Sequence, residues 1–127
     1  MRWNKWVAGV AAVGVAVGLG ILGCSASGKF GNAVVATEET PINDILDNPG
    51  EFAGKTVMIK GQIQQVDDDG KGFMLDNGLG SMIHVKAAGD FKIAAGAKYH
   101  YTIAEGKVEL DRETGEPLLL ATGVEVK

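Results

Sequence analysis

The chain has 127 residues, 46% of them hydrophobic, with 12 Lys and Arg against 16 Asp and Glu, a formal net charge of −4. That length allows one modest core and not two. Net acidity opposes a polyanionic partner, because affinity for nucleic acid comes largely from neutralised phosphates, and a single cysteine excludes an internal disulfide.

Arg2 and Lys5 open the chain, and residues 7–22 follow as sixteen positions with no charge and no strongly polar side chain. This is the pattern of an export signal. A helix of that length spans roughly 24 Å, short of a hydrocarbon core of ~30 Å, so cleavage is expected over retention. Ile21-Leu22-Gly23-Cys24 resembles the lipobox of bacterial lipoproteins, with an aliphatic residue three before the cysteine and a small one directly before it. The resemblance implies that Cys24 becomes the diacylated (palmitate-type) first residue of the mature chain. The protein would then sit on the cell membrane or the outer membrane, facing the periplasm or the exterior, and Ser25 after the cysteine would favour the outer membrane. Two alternatives stay open: an uncleaved anchor with Trp3 and Trp6 at the interface, and a signal cleaved to release a free protein.

The expected organisation is therefore a signal peptide over 1–23, a tether over 24–39 and one folded domain over 40–127. Without residues 1–23 the chain keeps 10 of its 12 basic residues against all 16 acidic ones, a net of −6. The tether, rich in Gly, Ser and Ala, has the composition of a flexible spacer. Thr40-Pro41 then predicts a helix start, with Thr40 as N-cap, Pro41 at the first helical position and Asp44 near the positive end. Ile42, Ile45 and Leu46 share one face of that helix, and Pro49-Gly50 is expected to stop it.

From Lys55 the hydrophobic period becomes two. Val57, Ile59 and Ile63 point inward and Met58, Lys60, Gln62 and Gln64 outward, with Gly61 inward at the place for a bulge or tight bend. Asp67-Asp68-Asp69-Gly70 ends this strand as a turn. A second strand runs from Phe73 to Asp76, Asn77-Gly78 signals a tight hairpin, and a third runs from Ser81 to Ala87 with Ile83 and Val85 inward. Residues 88–96 suit a loop or one helical turn. A fourth strand runs from about Tyr99 toward Leu110 with a bend at Gly106, and a fifth from Leu118 to Val126 after a tip at Thr114-Gly115.

Five strands, a long first one with a glycine in its middle, and a connection after the third match the five-stranded Greek-key barrel called the OB-fold. The predicted class is all-β with small α content. Ile45-Leu46-Asp47-Asn48-Pro49, Phe52-Ala53-Gly54-Lys55-Thr56-Val57 and Ile59-Lys60-Gly61-Gln62-Ile63 resemble the opening of exported bacterial OB-fold proteins of the tRNA_anti-like kind. Gly72-Phe73-Met74-Leu75-Asp76-Asn77-Gly78 and Gly115-Glu116-Pro117-Leu118-Leu119-Leu120-Ala121 continue the resemblance, so that it covers nearly all of residues 41–126. These are framework motifs, and fold does not imply function.

OB-folds take ligands on the face of strands two and three. Lys60, Gln62, Met82, His84 and Lys86 are the candidate ligand-binding residues there, beside Gln64, Met74 and Asp76. A groove for single-stranded nucleic acid would interleave aromatic platforms with cations, and this face carries two lysines and no aromatic as long as Phe73 points inward. The aspartates at 67–69 read as a solvated acidic turn, since Gln65 and Asp76 stand at the first and twelfth places of an EF-hand loop. His84 and His100 read as surface histidines. Neither has the tyrosine four positions later that exported haem-binding OB-folds carry, those places being Ala88 and Ala104. No serine elbow or cysteine nucleophile is present, so neither an enzyme nor a cofactor or metal is expected. Two functions are expected. One is a binding module for a peptide, glycan or small polar molecule, and the other is a structural accessory that contacts other envelope proteins.

Overall fold

A computed structural model of the chain describes residues 27–127. The expected signal peptide and Cys24 lie outside the described residues. Among those described, six strands and two short helices appear: β1 (Gly28–Gly31), α1 (Ile42–Asp47), α2 (Pro49–Phe52), β2 (Thr56–Val66), β3 (Gly72–Asp76), β4 (Met82–Ala87), β5 (Tyr101–Leu110) and β6 (Pro117–Val126), with a 3₁₀ turn at Ala95–Ala97.

Strands β2 to β6 close a barrel. β2 pairs antiparallel with β3 and β5, β3 with β4, and β5 with β6, and the ring is closed by a parallel pairing of β4 with β6. The period-two pattern is what lets this happen, because every other side chain can enter one shared core. Val57, Ile59 and Ile63 of β2, Phe73 and Leu75 of β3, and Ile83 and Val85 of β4 are all buried, as expected. Full burial of each such side chain stabilises by about 1.5–3 kcal/mol before its entropy cost. Ile42 and Ile45 of α1 join the same core, so the short amphipathic helix docks on the barrel.

Closure also needs backbones to approach closely. A Cβ on Gly106 would run into the carbonyl oxygen of Leu120, and the β5–β6 ladder shifts register between Glu105 and Gly106, the predicted bend. Gly61 is likewise buried against the carbonyl of Asp76, but the bulge in β2 comes later, between Ile63 and Gln65. That extra residue turns Val66 toward the core.

Three local expectations are corrected. Thr40 does not cap α1: its N–H donates to the carbonyl of Met58 at 2.8 Å, and Pro41, extended at ψ 138°, is the capping residue. Pro49-Gly50 does stop α1, which ends at Asp47 with a non-helical Asn48, but the segment that follows is not irregular: Pro49 opens a second short helix, α2, at a position where its missing N–H costs nothing. The Asn77-Gly78 connection is not a two-residue turn. Asn77 N–H donates to Ser81 O, and the Asn77 side-chain oxygen accepts from Leu79 and Ser81, which makes a five-residue loop.

The third correction concerns the expected tether. Gly28–Gly31 form a strand that pairs antiparallel with the end of β6, Gly28 opposite Val126 and Gly31 opposite Gly123. Residues 32–40 then cross the outside of the barrel as a strap. Glu105 Oε1 accepts the N–H of Val35 at 2.8 Å, and the strap ends on β2 at the Thr40–Met58 bond. Met58, expected on the exposed face, is buried where the strap reaches it. Backbone groups left open on β6 and on the first half of β2 recruit the segment.

Candidate functional site

Strand register builds the exposed face of β2, β3 and β4 in rows. Gln62 lies opposite Asp76, and Asp76 opposite Met82; one row on, Gln65 lies opposite Met74, and Met74 opposite His84; beyond that, Gly72 lies opposite Lys86. The five sequence-predicted residues therefore do not form one cluster. Met82 and His84 come together, Gln62 joins them through Asp76, and Lys60 and Lys86 stand at opposite ends of the face. Lys60 has no partner on β3, which ends at Asp76, and lies instead opposite Ile103 of β5.

A cavity of about 340 Å³ opens at Met82 and His84, bounded by Met74, Leu46 of α1, and Glu116 and Pro117 at the start of β6. Its walls are soft and apolar with a carboxylate and an imidazole at the rim. A second cavity, of about 470 Å³, lies where β4 leaves β6 and β1 takes over, between Asn32, Asp90, Phe91 and Thr122. Much of its lining is Gly31, Gly89 and Ala88, which bring little but backbone. The smaller cavity is the one that opens on the face of β3 and β4, at two of the sequence-predicted residues.

Polar groups beside that cavity are fixed by one another. Gln64 Nε2 donates to Gln62 Oε1 at 3.1 Å and to Asp76 Oδ2 at 3.3 Å, while Gln62 Nε2 donates to the carbonyl of Tyr99 at 3.0 Å. His84 Nε2 lies 2.8 Å from Asp67 Oδ2. An ionised carboxylate only accepts, so Nε2 carries the proton and the ring is held in one orientation. The first aspartate of the acidic turn thus belongs to the histidine on the face, which the sequence did not reveal. Gly72 at the start of β3 is the signal that was available: a Cβ there would strike the Asp67 carboxylate.

The face also carries aromatics that sequence reasoning missed. Phe73 points inward as expected, 1% exposed. Tyr101 of β5, however, lies opposite Gln62, extending the row to Tyr101, Gln62, Asp76 and Met82. Tyr101 and Tyr99 are 49% and 59% exposed.

At the far end, Asp111 Oδ1 accepts the N–H groups of Glu113 at 2.7 Å and Thr114 at 3.1 Å. These bonds hold its carboxyl below the usual carboxylate range, with slight burial opposing and the Lys86 charge assisting. His100 is apart from His84, its Nδ1 lying 2.9 Å from the carbonyl of Lys127. Among the described residues no group of three or more His, Cys, Asp or Glu is placed to hold a metal ion.

No family model and no curated protein matches the chain. Solved structures do. The hypothetical protein ygiW from E. coli is similar at 10% identity, over 76% of this chain and 98% of that one, with a TM-score of 0.51. A putative aspartyl-tRNA synthetase from Leishmania major Friedlin is similar at 15% identity and a TM-score of 0.54, over 75% of this chain but 21% of the synthetase. OBody AM1L10, bound to hen egg-white lysozyme, is similar at 14% identity and a TM-score of 0.50, over 75% of this chain and 98% of the OBody. At such identities the likeness speaks for the fold alone. With the closed five-stranded ring, it makes this chain an OB-fold protein.

Proposed function

We propose that this OB-fold is a non-catalytic binding module of the cell envelope, tethered to a membrane by lipid on Cys24, with its ligand on the face of β3 and β4. The observation that carries the binding assignment is the cavity at Met82 and His84, whose rim imidazole is held in place by Asp67. It sits on the face where OB-folds take ligands. An apolar wall with a few oriented polar groups suits a peptide, a glycan or a small polar molecule. The lipobox resemblance at residues 21–24 and the resemblance to exported tRNA_anti-like proteins support the address.

A second reading, an accessory lipoprotein that contacts other envelope proteins, draws support from Leu79 at the tip of the 77–81 loop, 84% exposed, beside Met82 at 47%. The OBody that binds lysozyme has a fold of this kind.

Intact mass of the membrane-extracted protein tests the address. A chain beginning at Cys24 with added acyl groups, lost in Cys24→Ala, is expected; a mass beginning at Met1 in both would sink it. Methyl NMR of Met74 and Met82, titrated with peptide and oligosaccharide libraries, tests the face. Saturable shifts weakened by His84→Ala are expected, and silence together with a co-purifying protein would favour the accessory.

A further inference from the structure

Tyr99 is the sole non-glycine residue with positive φ among those described, at 74°. Left-handed backbone costs an L-residue roughly 1–2 kcal/mol, and glycine avoids that cost. Here both backbone groups are clamped into it: the N–H donates to Ile63 O at 2.6 Å, and the carbonyl accepts from Gln62 Nε2 at 3.0 Å. The ring recovers little by burial, being 59% exposed. A strained backbone that holds a large ring in solvent is the arrangement expected of a functional residue. Lys98 Nζ stands 5.1 Å from the centroid of that ring.

Gln62 is the common neighbour of both tyrosines. It lies opposite Tyr101 in the ladder and binds Tyr99 through its side chain. Beyond it run Gln64 and Asp76, planar polar groups already oriented by mutual hydrogen bonds, and the row ends on Met82 at the cavity. Four adjacent strands cover about 14 Å, the reach of a short oligosaccharide.

We propose that Tyr99 and Tyr101 form a stacking platform for a neutral oligosaccharide that crosses the strands along the row Tyr101, Gln62, Asp76 and Met82. Pyranose rings lay apolar C–H faces on aromatic rings and offer neighbouring hydroxyls to amides and carboxylates, and this row supplies both in sequence. A phosphate chain would meet the Asp76 carboxylate and a mature chain of net −6. This proposal deepens the binding function above and rests on it, placing the ligand across β5 and β2 as well as β3 and β4.

The chain has two tyrosines, both in the platform, so 3-fluorotyrosine gives two ¹⁹F signals in the full-length protein in detergent. Titration with chitohexaose, cellohexaose and maltohexaose, and separately with a thymidine dodecanucleotide, is read on those signals and on the Met74 and Met82 methyls. The expected result is saturable movement of both fluorine signals with at least one hexasaccharide, weakened about tenfold or more in Tyr101→Ala and in Tyr99→Gly. Tyr99→Gly should also melt no lower than the wild type, since glycine relieves the strain, which separates lost stacking from lost folding. Fluorine signals that ignore all three saccharides overturn the proposal, as do signals that move with the oligonucleotide alone. Methyl shifts without fluorine shifts overturn the platform and leave the binding face standing.

Discussion

Nε2 of His84 on β4 lies 2.8 Å from Oδ2 of Asp67, seventeen residues earlier in the turn after β2. The turn is held for this purpose from two sides: Asp67 N–H donates to Gly72 O, and Ile93 N–H donates to Gly70 O. Gly72 leaves the room, because a Cβ there would overlap the Asp67 carboxylate and crowd the Val85 carbonyl.

Gly72→Ala is therefore expected to lower stability by about 1–3 kcal/mol, the range for overpacking a close contact. Adding Asp67→Ala to it should recover part of that loss by removing one of the colliding groups. Urea unfolding of the single and double variants measures both. A Gly72→Ala protein within about 0.5 kcal/mol of the wild type would contradict the packing described here.

The strap depends on a carboxylate rather than on burial. Val35 is 75% exposed, yet its N–H donates to Glu105 Oε1 at 2.8 Å, and the N–H of Ala36 reaches the same oxygen at 3.5 Å. Glu105→Ala should free both amides, speeding their hydrogen exchange about tenfold or more, the equivalent of roughly 1.4 kcal/mol. Val108, in the buried part of the same strand, should keep its protection. Unchanged exchange at Val35 would mean that something other than Glu105 holds the strap.

Acid should reach the hairpin between β5 and β6 through Asp111. Its carboxyl is held low chiefly by the N–H groups of Glu113 and Thr114, so the folded chain favours the ionised form more than the unfolded chain does. A depressed carboxylate contributes stability above its unfolded value, and that contribution is lost as pH falls through the folded value. Asp111→Asn, which keeps one acceptor oxygen without the charge, should melt below the wild type at neutral pH. The gap should close as the pH drops below about 4. A gap of constant size across thermal melts from pH 7 to pH 2 would rule out the charge as its source.

Much of the barrel was legible because strand burial is a local property. Val57, Ile59 and Ile63, and again Ile83 and Val85, alternate with polar residues in the chain itself, and any sheet that forms must bury that side. Ile42 and Ile45 announced a docking face in the same way, and the predicted bend at Gly106 coincides with the bulge. The candidate site was legible only as a list of outward positions. The sequence named Met82 and His84, which meet at one cavity, but spread Lys60 and Lys86 to the ends of the face.

The tertiary structure alone decided what crosses between strands. Tyr101 reaches Gln62 through a ladder between segments far apart in the chain, Asp67 reaches His84 because a bulge after Ile63 redirects the end of β2, and residues 28–40 pair and strap where composition predicted a free spacer. A run of alternating residues says which side of a strand is buried. It carries no information about which strand lies beside it, or which open backbone edge a polar segment will satisfy, because those follow from barrel closure and from the hydrogen-bonding groups that closure leaves unpaired.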